Sequence, residues 1–183
     1  MTSPTPGTPA TPAPPTTRTT SSSSTPTTSV SRTPDPARPE DGPDGALYDA
    51  VATEHGVIYG YGLVSAHSTP EVNDVVAAAM REHRERREAG IALLEARNVT
   101  PPLPAAGYQI PTPVDTPTEA ATLAVRMEED SAVAWRAVLE QATSGEDRTL
   151  AVTGLTESAV TAATWRRVLG ITPITVAFPG GNE

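Results

Sequence analysis

Apolar residues recur at intervals of three and four residues in four segments of the chain, which is the spacing of an amphipathic helix. In the first segment, for example, Leu47 and Val51 lie on the same helical face. Since no segment shows the alternating pattern of a half-buried strand, the chain is expected to be all-α. The predicted helices span residues 45–67, 70–97, 115–143 and 146–169.

Residues typical of helix ends flank these segments. Ser68-Thr69-Pro70-Glu71 places cap residues before a proline and an acidic residue in the first turn of the second helix. Thr116 and Pro117, with Glu119 behind them, repeat this pattern before the third helix. Gly170 is predicted to end the fourth helix.

The connection between the second and third predicted helices, residues 98–116, contains five prolines and shows no helical period. About 18 residues at ~3.1 Å each can span ~55 Å in an extended, proline-rich form. A helix of about 27 residues is only ~40 Å long. The segment can therefore run the whole length of a bundle, and one long crossover is typical of ferritin-like four-helix bundles.

Residues 1–45 differ from the rest of the chain in composition. They hold 11 of the 20 prolines and many Thr and Ser residues, but almost no large apolar residue. Such a segment buries too little apolar surface to offset its ordering entropy, so a disordered tail is predicted before a single domain over residues 46–180. The tail is either an arm that docks on a protein partner or a solubilising extension.

Overall composition excludes several classes of function. The chain has no cysteine, which excludes disulfides and thiolate chemistry. Its formal charge of −9 repels phosphate backbones, so no nucleic-acid partner is expected. No stretch approaches the ~18 apolar residues of a membrane span, and no signal-peptide core is visible, so no membrane association and a cytoplasmic location are expected.

Three polar residues lie near the middle of apolar helical faces. They are Glu54 on the first helix, His83 on the second and Glu128 on the third. Arg87 follows His83 by one turn on the predicted inner face. Because buried charged groups must be paired, protonated or bound to metal, Glu54, His83, Arg87 and Glu128 are expected to face one another in a buried polar network.

The fourth helix gives a less regular pattern. Gly154 lies inside it and predicts a bend or a weak first half. Its predicted buried stripe consists of Leu155, Ala159, Ala162, Arg166 and Leu169, with Trp165 beside it.

Other conspicuous residues receive simpler interpretations. Trp135 and Trp165 are predicted to be core or dimer contacts. His55 points about 100° away from Glu54 and is expected at the surface or an interface. The segment around Phe178 to Gly180 is expected to fold back on the bundle.

Several segments resemble the actinobacterial domain-of-unknown-function 4439 family, which is grouped with the ferritin-like proteins. They are LYDAVATEHGVIYGYGLVSA from Leu47, EHRERREAG from Glu82, PAAGYQIPTPV across the crossover, MEEDSAVAW and TWRRVLG. The resemblance covers about residues 46–180. It implies a four-helix fold and no established activity.

Ferritin-like di-metal sites use one Glu on each of two helices and a Glu-x-x-His pair on each of the other two. Glu54 and Glu128 fit the single carboxylates, and His83 fits the imidazole. Met80 and Ser131, however, stand where the paired ligands would be. Three interpretations remain: a structural ion network, a single-metal or degenerate redox site holding iron or manganese, and a site for another ligand.

The leading functional hypothesis is a non-catalytic structural or interaction module, homodimeric through Ala-rich helix faces. The missing Glu-x-x-His pairs motivate it. The alternative is a metal-binding protein or metal-dependent oxidoreductase that uses Glu54, His83 and Glu128, with Tyr61 nearby.

Overall fold

A computed structural model describes residues 1–2 and 36–181 of the chain. Residues 36–181 belong to one compact unit, and every element described below lies in it. The tail predicted over 1–45 lies largely outside the described residues.

Four long helices make up the described part of the unit, which contains no strand. A short 3-10 turn, Pro70–Val72, precedes the second helix. None of the described helices combines the length and the apolar character needed to cross a membrane. The helices are α1 (Pro43–His67), α2 (Asn73–Ala96), α3 (Pro117–Gln141) and α4 (Gly145–Leu169).

The helix ends follow the cap residues in the sequence. Thr116 and Glu119 form a complete capping box at the start of α3, with Pro117 in the first turn. The side chain of Ser144 accepts a hydrogen bond from the backbone of Asp147 at the start of α4. Gly170 ends α4 in the left-handed conformation with φ 68°, which glycine adopts without steric cost.

Two apolar clusters fill the bundle, one toward each end. One includes Leu47, Val51, Leu94, Trp135, Val138 and Ala151. The other includes Val57, Tyr61, Val76, Ala121 and Trp165. Because α1 and α4 begin in the first cluster and end in the second, whereas α2 and α3 run the other way, the topology is up, down, down, up.

The crossover between α2 and α3 spans the bundle, as the sequence predicts. It leaves the first cluster near Val99 and reaches the second at Val114. On the way Tyr108 packs against Gly56 of α1 and contacts Tyr59, with ring centroids 5.3 Å apart. The predicted four-helix architecture with one long crossover is therefore confirmed.

Residues 36–42, which the sequence analysis assigns to the tail, contact α1 in the structure. The guanidinium of Arg38 donates to both carboxylate oxygens of Asp49, at 2.8 and 2.7 Å. The Tyr48 hydroxyl donates to the backbone carbonyl of Pro36 at 2.9 Å. The folded unit therefore begins before the predicted boundary at residue 46.

The buried face of α4 differs from the predicted stripe. Leu155 and Arg166 are only partly buried. The helix runs without a break through Gly154. A Cβ there would lie 2.6 Å from the Trp135 ring, so the glycine allows the indole to approach. The buried positions of α4 are Asp147, Ala151, Gly154, Ser158, Ala162, Ala163 and Trp165.

Candidate functional site

A layer of polar side chains separates the two apolar clusters at mid-bundle. Glu54 of α1, His83 of α2 and Glu128 of α3 are each at most 1% exposed, and Arg86 of α2 is 3% exposed. Helical spacing predicts the first three together at the centre, and the structure brings them together.

His83 bridges the two buried carboxylates. Its Nδ1 lies 2.6 Å from Oε2 of Glu54, and its Nε2 lies 3.0 Å from Oε1 of Glu128. Each ring nitrogen thus faces its own carboxylate, and a doubly protonated ring donates to both. The three residues form a chain of ionic hydrogen bonds across three helices.

Arg86, and not Arg87 as predicted, supplies the buried guanidinium. Arg86 Nε donates to Glu54 Oε1 at 3.1 Å, and its Nη1 donates to Glu157 of α4 at 2.6 Å. Arg87 lies outside the network and donates to the neighbouring Glu88. Positions 86 and 87 lie roughly 60° and 40° on either side of the His83 direction, so helical period alone does not choose between them. Packing against α4 selects Arg86.

The Nη2 atom of Arg86 also lies 2.6 Å from Nδ1 of His83. A single ring nitrogen can donate to Glu54 or accept from Arg86, but it cannot do both. Since a carboxylate lies at each ring nitrogen, His83 donates from both nitrogens. The contact between Arg86 and Nδ1 is then not a hydrogen bond. Arg86 is then held by Glu54 and Glu157.

Two tryptophans and a tyrosine complete the layer. Trp135 Nε1 donates to Glu54 Oε1 at 2.6 Å. The Tyr61 hydroxyl donates to Glu128 Oε1 at 2.5 Å and accepts from Trp165 Nε1 at 3.0 Å. Both indoles, predicted from the sequence to be core or dimer contacts, thus also act as hydrogen-bond donors. For Trp135 this role could have been found from the helical spacing, because Trp135 follows Glu128 by seven residues and so lies on the same face of α3.

Ser131 and Ser158 fill the remaining polar positions. Ser158 of α4 donates to Ser131 of α3 at 3.0 Å, and Ser131 lies 3.4 Å from Glu54 Oε1. Ser131 occupies the position where the di-metal pattern requires a histidine. The serine hydroxyl at this position can donate to the Glu54 carboxylate and carries no charge of its own.

The network shifts the pKa values of its own members. Burial alone raises the pKa of Glu54, but the hydrogen bond and charge of His83, together with Arg86 and Trp135, lower it below its usual 4.5. Burial likewise opposes a charged His83, but hydrogen bonds to Glu128 and Glu54 raise its pKa to about 9. Burial and the Glu128 charge raise the pKa of Tyr61, which stays protonated. At neutral pH the charged Glu54 therefore lies between two cations, His83 and Arg86.

The donor geometry does not fit a metal ion held by Glu54, His83 and Glu128. The two carboxylates face opposite nitrogens of one ring, so a single ion cannot reach both of them and the imidazole at ligand distance. In addition, the guanidinium of Arg86 already lies between Glu54 and α4. Among the described residues no group of three or more His, Asp or Glu side chains could hold a metal ion.

His55 is buried under the crossover, so of its two expected positions, the surface or an interface, the first is wrong. It is 8% exposed and hydrogen-bonds the backbone carbonyl of Pro102. Burial, together with the charge of Arg87, lowers its pKa, so the ring stays neutral. His55 therefore fastens the crossover to α1 and does not belong to the central network.

Fold and site together define a class of protein: a four-helix bundle whose polar centre joins two carboxylates, an imidazole and a guanidinium. A family model described as a domain of unknown function, DUF4439, matches residues 46–183, and the chain belongs to this family. The resemblance inferred from the sequence is thereby confirmed.

Comparison with solved structures finds a similar protein from Mycobacterium tuberculosis, described as a conserved hypothetical protein, rv2844. The two chains are 58% identical, and the match covers 75% of this chain and 96% of that chain with a TM-score of 0.69. A comparison with curated proteins gives no match. Neither description names an activity.

Proposed function

We propose that the chain is a non-catalytic structural or interaction module, in which a buried ion network takes the place that a metal centre holds in ferritin-like bundles. The observation that carries this proposal is the bridging position of His83, with a carboxylate at each ring nitrogen. The Arg86 guanidinium supplies the second positive charge. These bonds occupy both ring nitrogens of His83, the atoms through which an imidazole would bind a metal.

The topology supports a ferritin-like origin for this module. One long crossover joins α2 and α3, which run in the same direction, and such a connection is typical of ferritin-like bundles. In that scheme Met80 and Ser131 stand at two metal-ligand positions. The positive charge of the metal is replaced by that of the Arg86 guanidinium on α2. A fixed guanidinium neutralises the buried carboxylates without depending on metal supply.

Metal content tests the proposal. The full chain is purified from cells supplied with iron and manganese, and bound metal per chain is measured by elemental analysis. The proposal predicts metal far below one ion per chain. Near-stoichiometric metal that is lost in Glu54→Ala and Glu128→Ala, but retained in the exposed control Glu88→Ala, would overturn it in favour of the metal-dependent alternative.

The interaction part of the proposal rests on the outer face of α4. Val152 and Val160, about 80° apart around the helix, are 49% and 60% exposed. Between Arg148 and Arg166 the only charged residue of α4 is Glu157, which Arg86 binds. The exposed face of α2, in contrast, carries Arg81, Arg84, Glu85, Glu88 and Glu95. An uncharged helix face with exposed valines is typical of a covered surface.

The occupant we propose for this face is a second copy of the chain. A two-fold contact places each residue near its own copy, and a face without charge avoids the like-charge repulsion that self-pairing otherwise creates. Val160 lies close to the middle of α4, where a two-fold axis brings two antiparallel helices into their longest contact.

Light scattering coupled to gel filtration tests the dimer. Wild type is expected to elute as a dimer and Val160→Asp as a monomer with unchanged helical circular dichroism. Ala77→Asp, on the exposed charged face of α2, is the matched control and should remain dimeric. A monomeric wild type at micromolar concentration would contradict self-association through α4.

A further inference from the structure

The face of α4 that points away from the core carries one unpaired charge at each end. Glu146 lies in the first turn of the helix and Arg167 in the last turn, and both side chains are exposed. Neither of them forms an ion pair with a described residue. We call this row of residues the outer stripe; between its two charged ends it consists of Thr149, Thr153, Thr156, Val160 and Thr164.

The spacing of the outer stripe is the same from either end. Starting at Glu146, the stripe continues three and seven residues along the helix; starting at Arg167, it continues three and seven residues back. Steps of three and four residues keep such a row on one helical face. The stripe therefore has a midpoint between residues 156 and 157. A second α4 that runs antiparallel about this midpoint presents the same row of positions in return.

The threonines of the outer stripe do not require hydrogen-bond partners from outside the helix. The hydroxyl of Thr149 donates to the Gly145 carbonyl at 2.9 Å, and that of Thr164 donates to the Val160 carbonyl at 3.0 Å. Because these donors are satisfied within α4, another helix can cover the threonines without leaving the donors unpaired. Val160, which is 60% exposed, is the largest apolar side chain of the stripe.

We propose that two copies of the chain associate through the outer stripe, with their α4 helices antiparallel and the two-fold axis between residues 156 and 157. In this arrangement Glu146 of each copy faces the partner's Arg167, and Val160 faces the partner's Thr153. The inference rests on the dimer proposed above and specifies its orientation and register.

Charge favours this orientation over a parallel one. In a parallel pair, Glu146 would lie beside the partner's Glu146 and Arg167 beside the partner's Arg167, and like charges repel. In the antiparallel pair, opposite charges meet at both ends of the contact. An exposed ion pair adds little affinity, so the two pairs serve to fix orientation and register. Glu157 lies beside the axis, but Arg86 of its own chain neutralises it.

Charge reversal tests the register. Glu146→Arg and Arg167→Glu are made separately in the full chain, and the dimer dissociation constant is measured by sedimentation equilibrium at low ionic strength, where exposed charges are least screened. Each variant is expected to dimerise about tenfold more weakly than wild type, because like charges then meet at both ends. An equimolar mixture of the two variants should regain wild-type affinity, since each end of the mixed dimer again joins opposite charges.

Glu95→Arg and Arg84→Glu on the exposed face of α2 are the matched controls. They change the net charge by the same amounts and should dimerise as wild type does, and all four variants should keep the helical circular dichroism of wild type.

Two results would overturn this register: α4 variants that both dimerise as tightly as wild type, or a mixture that is no tighter than either variant alone. If Val160→Asp is still monomeric in that case, the α4 dimer stands and only its register is rejected. A monomeric wild type would reject both.

Discussion

The Nε atom of Arg86 lies 3.1 Å from Oε1 of Glu54 in a layer that solvent does not reach. The same carboxylate oxygen also accepts from Trp135 at 2.6 Å. Transfer of a carboxylate from water to such a site is unfavourable by several kcal/mol unless partners compensate it. Glu54 is buried in its charged form because a guanidinium, an imidazole and an indole surround it.

Removal of the Arg86 guanidinium should therefore lower the free energy of unfolding. Arg86→Met keeps much of the side-chain volume but leaves Glu54 and Glu128 with His83 as their only cation. We expect a loss of about 3–5 kcal/mol in the free energy of unfolding, measured by urea denaturation. Arg87→Met is the matched control on the adjacent position, and it should change stability by less than about 0.5 kcal/mol. Equal losses in both variants would contradict the assignment of Arg86 to the network.

Stability should fall on the alkaline side of neutrality. A group whose pKa is raised on folding stabilises the fold fully below its unfolded pKa, about 6.5 for histidine. That contribution is lost as the pH rises through the folded pKa of His83, about 9. The pKa difference corresponds to roughly 3 kcal/mol of stability lost between about pH 6.5 and 9. Urea denaturation at pH 6.5 and at pH 9 measures it.

Other ionisable groups change the free energy of unfolding in the opposite direction or in a different pH range. The pKa of Glu54 is lowered, so its contribution is present above about pH 4.5 and lost as the pH falls further. The pKa of His55 is lowered by burial, so it affects stability below about pH 6.5. His67→Gln should keep the full alkaline loss. A wild type that is equally stable at pH 6.5 and 9 would show that His83 is not held as a cation.

The two indoles allow a matched comparison. Trp135 donates to the charged Glu54, whereas Trp165 donates to the neutral hydroxyl of Tyr61, and both rings are 0% exposed. Phe substitution removes the same atoms at each site. Because hydrogen bonds to charged groups contribute more than neutral ones, Trp135→Phe should destabilise the fold by about 1 kcal/mol more than Trp165→Phe. Thermal and urea denaturation of both variants check this order.

Gly154 tests the close approach of α3 and α4. An added Cβ would lie 2.6 Å from the Trp135 ring, and overpacking of this kind costs about 1–3 kcal/mol. The higher helix propensity of alanine offsets only ~1 kcal/mol. We therefore expect Gly154→Ala to lower stability. Gly62→Ala is the control: no atom lies within 4 Å of its added Cβ, so alanine should stabilise α1 by about 0.5–1 kcal/mol. Stabilisation by Gly154→Ala would contradict the packing.

The four helices and their ends could be predicted from the sequence because the signals are local. Thr116 with Glu119, and Gly170, form the caps that their residue types indicate. The inward direction of Glu54, His83 and Glu128 follows in the same way from helical spacing. The crossover is predicted by its length and its prolines, which leave few other arrangements.

The details of the network could not be predicted because they depend on how helices pack. Arg86 and Arg87 flank the same face of α2, and the position of Glu157 on α4 decides between them. The buried stripe of α4 includes Gly154 and Ser158, which a search for large apolar residues passes over. Only contact with Trp135 and Ser131 on α3 shows why small residues lie there.

The protonation state of His83 tests the central claim most directly. Nitrogen NMR of the full chain, labelled in its histidine rings, reports at pH 7 whether each His83 ring nitrogen carries a proton. The ion network predicts a doubly protonated ring whose signals remain unchanged when equimolar Mn²⁺ is added. A neutral ring with one bare nitrogen, or loss of the His83 signals through paramagnetic Mn²⁺ bound at the ring, would contradict it.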